Sequence, residues 1–219
     1  MRMPTTTRSR DVEVDSTSSR STWLASALHR GLVGWVAILL LACLVIRGGA
    51  AVNTKINVDE FHLLHQAGMV GHGYLPYRDF WTNKPPFTIY GLQPLVARYD
   101  EDPSSLLLAV RLLAWAINLG LFGLVAWLAA KKGSWTAGLL AALFLSVNLT
   151  VYDKTIHLRH ESLTLICELF ALRLLARGCE SARSRDVLGA GVVLGLALAL
   201  SPKGLFGLSA LIISPSRTR

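Results

Sequence analysis

The chain has 219 residues, of which 52% are apolar and 16% charged, with a formal net charge of +8. Soluble domains carry about a quarter charged residues, so this balance excludes an ordinary globular protein and indicates a polytopic helical membrane protein. The basic excess accompanies no nucleic-acid-binding motif, and the three cysteines form no CxxC pair, so neither nucleic-acid recognition nor a disulfide framework is indicated.

Residues 1–30 are rich in Ser, Thr and Arg and read as a disordered basic cytoplasmic tail. A membrane domain follows over residues 31–213, and 214–219 form a short basic tail. The first span is Gly31–Val52, with Arg47 placed to snorkel to the interface. A polar loop, "NVDEFHLLHQAGMVGHGYLPYRDFWTNKPPF", precedes the second span, Ser105–Ala130. The third span is Trp135–Val151, the fourth Glu161–Ala176 and the fifth Val187–Leu200. "SPKG" then breaks the helix, and the last apolar run, Leu205–Ile213, is too short to span; the basic end returns to the cytoplasm only if that run starts a sixth span. Lys and Arg cluster in the tail, after the second span and after the fourth, which puts the N-terminus in the cytoplasm. The long first loop and the "YDKTIHLRHE" link then meet on the outer face, where irregular polar segments line a cavity. The expected fold is an all-α bundle of about five to six transmembrane helices with amphipathic juxtamembrane helices in the first outer loop.

Within that loop the periodicity predicts an interfacial helix over Asp59–His72. Asp59, His62, His65, Gln66, Met69 and His72 fall on one side, opposite Phe61, Leu63, Leu64, Ala67, Gly68 and Val70. Asp59 suits an N-cap, and Glu60 suits the positive end of the helix dipole. Asp59, His62 and His65 also have the spacing of a metal site, without a supporting HExxH or cysteine. Phe87–Ala97 reads as a second short helix that Pro94 kinks or breaks. Arg111, Arg159 and Lys203 lie near the outer ends of their spans, as do Glu161 and the Asp59-Glu60 pair. Such residues face a cavity or a partner. Three cations and three acids together suit a phosphorylated ligand: cations stabilise a departing phosphate and an acid takes a proton from an attacking hydroxyl. The same acids, with phosphate, suit a shared divalent cation.

Several motifs resemble GT-C membrane glycosyltransferases, nearest the bacterial group related to protein O-mannosyltransferases and the lipid A aminoarabinose transferase. These are Asp59-Glu60 after the first span, Gly73…Pro76-Tyr77-Arg78-Asp79, Pro85-Pro86, Arg111 early in span two, Arg159-x-Glu161, and a Gly/Leu-rich span ending in Lys203. His160 stands where the family often has proline. The resemblance implies transfer of a sugar from a polyprenyl-phosphate carrier to a hydroxyl of a lipid, glycan or protein acceptor, at the outer face of the cytoplasmic membrane. It implies Asp59 as the base, Glu60 and Glu161 as acceptor- or metal-positioning residues, and Lys203, Arg111, Arg159 and Lys84 as donor-phosphate ligands. Family members continue through further spans, so the resemblance also implies a truncated chain or a C-terminal partner half carrying the lipid groove. Two other readings are open. A transporter or channel-like subunit would also use intramembrane charge and a broken helix. "DED" at Asp100–Asp102 mimics a nucleotide-sugar metal motif, but no βαβ pattern accompanies it, and it reads as a solvated turn and N-cap. "NLT" at Asn148 spells a sequon inside a span.

Overall fold

The computed structural model describes the backbone of residues 10–205 and Ser209, and the side chains of 26–149, 151–152, 156–205 and 209. The tail residues 1–9, the tail 214–219 and most of the run Leu205–Ile213 lie outside the described residues. The described part is all-helical: α1 (Arg10–Asn53), α2 (Val58–Gly71), α3 (Pro86–Arg98), α4 (Pro103–Lys132), α5 (Trp135–Val147), α6 (Leu149–Ile156), α7 (His160–Ser181) and α8 (Ser184–Leu200), then a 3₁₀ turn at Pro202–Gly204.

Helix α1 begins 21 residues before the span expected at Gly31, over a stretch without proline or glycine. Its segment Ser26–Asn53, and all of α4, are long and apolar enough to cross a membrane. Helix α7 is about 33 Å long and α8 about 26 Å by residue count, but α7 carries Glu161, Glu168, Arg173 and Arg177 along its length. Large apolar side chains face outward all round, among them Trp35, Ile46, Phe144, Leu188 and Val192. That distribution suits hydrocarbon as the surrounding solvent.

Two close hairpins order the bundle. At the α7–α8 turn Ala182 adopts a left-handed conformation (φ 51°), and a Cβ on Gly178 would come within 2.7 Å of Val187 Cγ2. Small residues let two helix backbones approach this closely. Gly138 plays the same part where α5 meets the backbone of α4 at Ala126. Helix α1 runs alongside α5: His29 Nε2 and Thr136 Oγ1 are 3.2 Å apart near one end, and Arg47 Nη1 donates to Ser146 O at 2.6 Å near the other.

The expected third span, Trp135–Val151, is divided. Asn148 ends α5 in extended conformation, and its side chain accepts from Val151 N at 3.1 Å to cap α6. The freed carbonyls explain Arg47, which does not snorkel. It is buried, bonds Ser146 O and Val151 O, and lies over the rings of Phe122 and Tyr152 at 5.3 and 5.0 Å. Asn148 is thus an exposed helix junction and not the interior of a span.

Helices α2 and α3 form in the first loop as the periodicity predicts, and Pro94 sits inside a continuous α3. Leu63, Leu64 and Ala67 of α2 pack on Ile89, Leu92 and Val96 of α3, over Val110 and Ala114 of α4 and Leu158. This core supports one end of the bundle. There the C-terminus of α1, the N-termini of α4 and α7 and the C-terminus of α8 converge.

Candidate functional site

The N-terminus of α2 is capped by Asn57, whose side chain accepts from Asp59 N at 3.1 Å. The expected N-cap, Asp59, therefore lies inside the first turn with its carboxylate unused by the backbone. Adjacent helical residues diverge by about 100°, and Asp59 and Glu60 separate completely. Asp59 is half-exposed at the surface; Glu60 is fully buried.

On the surface side Asp59 begins a chain of ion pairs. Lys84 Nζ lies 3.2 Å from Asp59 Oδ1, and Arg159 Nη2 donates to Oδ2 at 3.0 Å. Arg159 also approaches Glu161 Oε1 at 3.8 Å, and Lys203 Nζ donates to that oxygen at 2.9 Å. Five groups from α2, the loop before α3, the α6–α7 link, α7 and the 3₁₀ turn thus meet at one end of the bundle. The hydrogen bond from Lys84, with the charge of Arg159, holds the Asp59 carboxyl below the ordinary aspartate range.

Each cation is delivered by a local break in helix. Lys84 precedes Pro85, the N-cap of α3, and Pro86 occupies its first turn. Arg159 is the N-cap position of α7. Lys203 lies in the 3₁₀ turn, where Ser201 Oγ accepts from its backbone N–H at 3.3 Å. The turn upstream of Lys84 is built by Asp79, which accepts from Leu75 N at 2.7 Å and pairs with Arg78. That turn puts Tyr77 at φ 66°, and the Tyr77 hydroxyl donates to Lys84 O at 2.8 Å. Gln66, expected on the polar face, is buried and accepts from Thr82 Oγ1 at 3.0 Å, and Thr82 Oγ1 accepts in turn from Lys84 N. Phe61, expected on the apolar side of the helix, is exposed.

Glu60 and Arg111 do not join the surface chain. They form a separate buried pair at 3.5 Å, with His157 Nδ1 also 3.5 Å from Glu60 Oε2. Arg111 additionally donates to Val52 O at 3.1 Å and to Thr54 O, carbonyls at the C-terminus of α1. Glu60 Oε1 accepts from Leu158 N at 3.4 Å. The buried carboxylate therefore grips residues 157–158 while its neighbour Asp59 meets Arg159. His157 and Asn57 are not among the residues that the sequence motifs point to. Asn57 had a signal, as a capping residue directly before an apolar-periodic run; His157 had none, because its contacts come from distant elements.

The arrangement also bears on metal binding. Among the described residues no three His, Cys, Asp or Glu groups stand together as a metal-ligand set. His65 stacks on Phe61, with ring centroids 6.0 Å apart. Asp59 and Glu161 share three cations, so their surroundings are net positive, whereas divalent ions take anionic oxygen cages. The donor set fits an anion better than a metal.

No curated protein and no solved structure matches the chain. A family model, dolichyl-phosphate-mannose-protein mannosyltransferase, matches residues 84–215. The matched stretch is more than half of the chain and holds Lys84, Arg111, Arg159, Glu161 and Lys203; Asp59 and Glu60 precede it. The chain belongs to the dolichyl-phosphate-mannose-protein mannosyltransferase family of membrane glycosyltransferases.

Proposed function

We propose that the protein transfers a sugar from a polyprenyl-phosphate carrier to an acceptor hydroxyl at the outer face of the cytoplasmic membrane, with its N-terminus in the cytoplasm. The observation that carries this reading is the five-membered ion-pair chain Lys84–Asp59–Arg159–Glu161–Lys203. It pairs a half-exposed carboxylate with two cations and links a third through Glu161, a combination suited to a displacement with a phosphate leaving group.

The acceptor oxygen attacks the anomeric carbon, and the bond from that carbon to the phosphate oxygen breaks, inverting the centre. Asp59 takes the hydroxyl proton, and the electron pair leaves on the carrier phosphate. Lys84, Arg159 and Lys203 stabilise the charge gathering there. In the free protein Lys84 and Arg159 are held by Asp59 itself. A bound phosphate competes for both, which frees the carboxylate and raises its basicity when the donor is in place. Glu161 holds Lys203 and Arg159 in position. Glu60 and Arg111, buried beneath, support the geometry and do not touch substrate.

The test is consumption of a polyprenyl-phosphate-linked sugar by membranes containing the protein. Asp59→Asn abolishes transfer and leaves membrane insertion intact. Transfer at the wild-type rate by this variant refutes the base assignment. Flux of a solute through proteoliposomes, with no sugar consumed, supports a transporter instead.

A further inference from the structure

At the end of the bundle opposite the ion-pair chain, α4 finishes with Trp127, Lys131 and Lys132, and α7 brings Arg173 against it. The Arg173 guanidinium carbon and the Lys131 ammonium each lie 6.0 Å from the centre of the Trp127 ring. Arg173 is half-buried, and its Nε is enclosed without a hydrogen-bond partner. Among the described residues neither its guanidinium nor the Lys131 ammonium meets a carboxylate. Asp186, on the neighbouring α8, is taken by Arg177 at 3.7 Å. Arg47 and Arg111, also set in long helices, instead bond backbone carbonyls.

A cation set back from the end of a membrane helix is costly and takes a partner. The indole face offsets part of that cost, but two like charges at one ring repel each other. An anion between them removes the repulsion and supplies the missing acceptor. Its depth can be read from α4. Trp127 lies about 7.5 Å before the end of the helix, the level at which indoles meet lipid headgroups, and the long Arg173 side chain can reach the same level. Deeper along the Trp127 face of α4 stand Gly123 and Gly120, one and two turns away. Both are exposed, and a Cβ added to either meets nothing within 4 Å. Phe170, one turn before Arg173 on α7, is also exposed. The cations therefore stand above open apolar helix surface.

We propose that Lys131, Trp127 and Arg173 hold the phosphate of an anionic phospholipid, with an acyl chain along Gly123 and Gly120. Charge selects the headgroup, and the open apolar face below selects a lipid over a soluble anion. In the proposed orientation the lipid belongs to the cytoplasmic leaflet. The site is separate from sugar transfer, and its test reads no activity.

The purified full chain in detergent is titrated with phosphatidylglycerol and with phosphatidylcholine of the same acyl chains, and bound lipid is counted by native mass spectrometry. The wild type binds phosphatidylglycerol about tenfold more tightly, a ratio of the size that two converging cations give at a membrane surface. Arg173→Met and the exposed Lys131→Met each lower the ratio by about threefold, and the double variant brings it near one. Arg183→Gln/Arg185→Gln removes two exposed cations from the same end of the bundle and leaves the ratio unchanged. A wild-type ratio near one, or an unchanged ratio in Arg173→Met and Lys131→Met, overturns the site. An equal fall in Arg183→Gln/Arg185→Gln also overturns it, because the basic end then attracts lipid as a whole. Displacement of phosphatidylglycerol by equimolar glycerol 3-phosphate overturns the choice of a lipid over a soluble anion. Helical circular dichroism and gel filtration establish that each variant is folded.

Discussion

Replacing Arg111 by methionine tests the buried half of the site. Arg111 is 2% exposed and Glu60 fully buried, and their charged atoms stand 3.5 Å apart. At an effective dielectric of 20, that separation corresponds to about 5 kcal/mol of attraction. Methionine retains most of the volume but strands the Glu60 carboxylate, leaving it only Leu158 N–H and His157. It also removes the donor to the carbonyls of Val52 and Thr54 at the end of α1. Stranding a buried charge costs roughly 3–5 kcal/mol. Because the pair is not closed by a direct hydrogen bond, the expected loss is at the lower end of that range. Glu60→Gln removes the charge and keeps the shape. The double variant Arg111→Met/Glu60→Gln is therefore less destabilised than the sum of the two, with a coupling of about 1–3 kcal/mol. Heating in detergent, followed by fluorescence-detected gel filtration, gives the ranking, and denaturant titration gives the free energies. A loss below about 1 kcal/mol in Arg111→Met, or strict additivity in the cycle, refutes the reasoning.

Lys84→Met removes the largest influence holding the Asp59 carboxyl low. The carboxyl then rises towards the ordinary aspartate range, so the acid limb of kcat/KM moves to higher pH; an unmoved limb means Lys84 does not act on the base. Asn57→Ala removes the cap on α2 and costs about 1 kcal/mol, read by thermal stability, with a fall in transfer because Asp59 sits in the first turn. Arg47→Leu strands the carbonyls of Ser146 and Val151 at the α5–α6 junction, and protease susceptibility near Asn148 rises. Gly178→Val forces α7 and α8 apart at Val187 and lowers Tm more than Gly191→Val, where an added Cβ meets nothing.

Much of this was legible in the chain itself. Hydrophobic runs long enough to span gave α1 and α4, and the period of the first loop gave α2 and α3. "SPKG" marked the end of α8, because proline cannot continue a helix and the turn after it needs no continued ladder. What stayed hidden depended on long-range contacts. The division at Asn148 is invisible in composition, since leucine and threonine follow it as they would in a continuous span; it is stabilised by Arg47, about a hundred residues away. The burial of Gln66 likewise depends on Thr82 across the loop. Charge was the hardest to place. Three cations and three acids near one membrane depth looked like one cavity, yet depth says nothing about which side of a helix faces inward.

That last point bears on how the site works. A flexible carboxylate in an open interface would be solvated and slow to orient. Here the residue after Asp59 is anchored in the interior, and so is the segment before Arg159, by the same carboxylate. The surface pair Asp59–Arg159 is thus positioned from beneath, with little of its geometry resting on the exposed ion pair, which solvent would weaken. The surface pairs are then free to exchange partners. A phosphate that draws Lys84 and Arg159 away from Asp59 does not release the backbone holding them, because that backbone is fixed by Thr82, Tyr77 and Glu60. Under the proposed function, rigid support below and exchangeable charge above would let an anionic donor bind and uncover Asp59 as the base in one event.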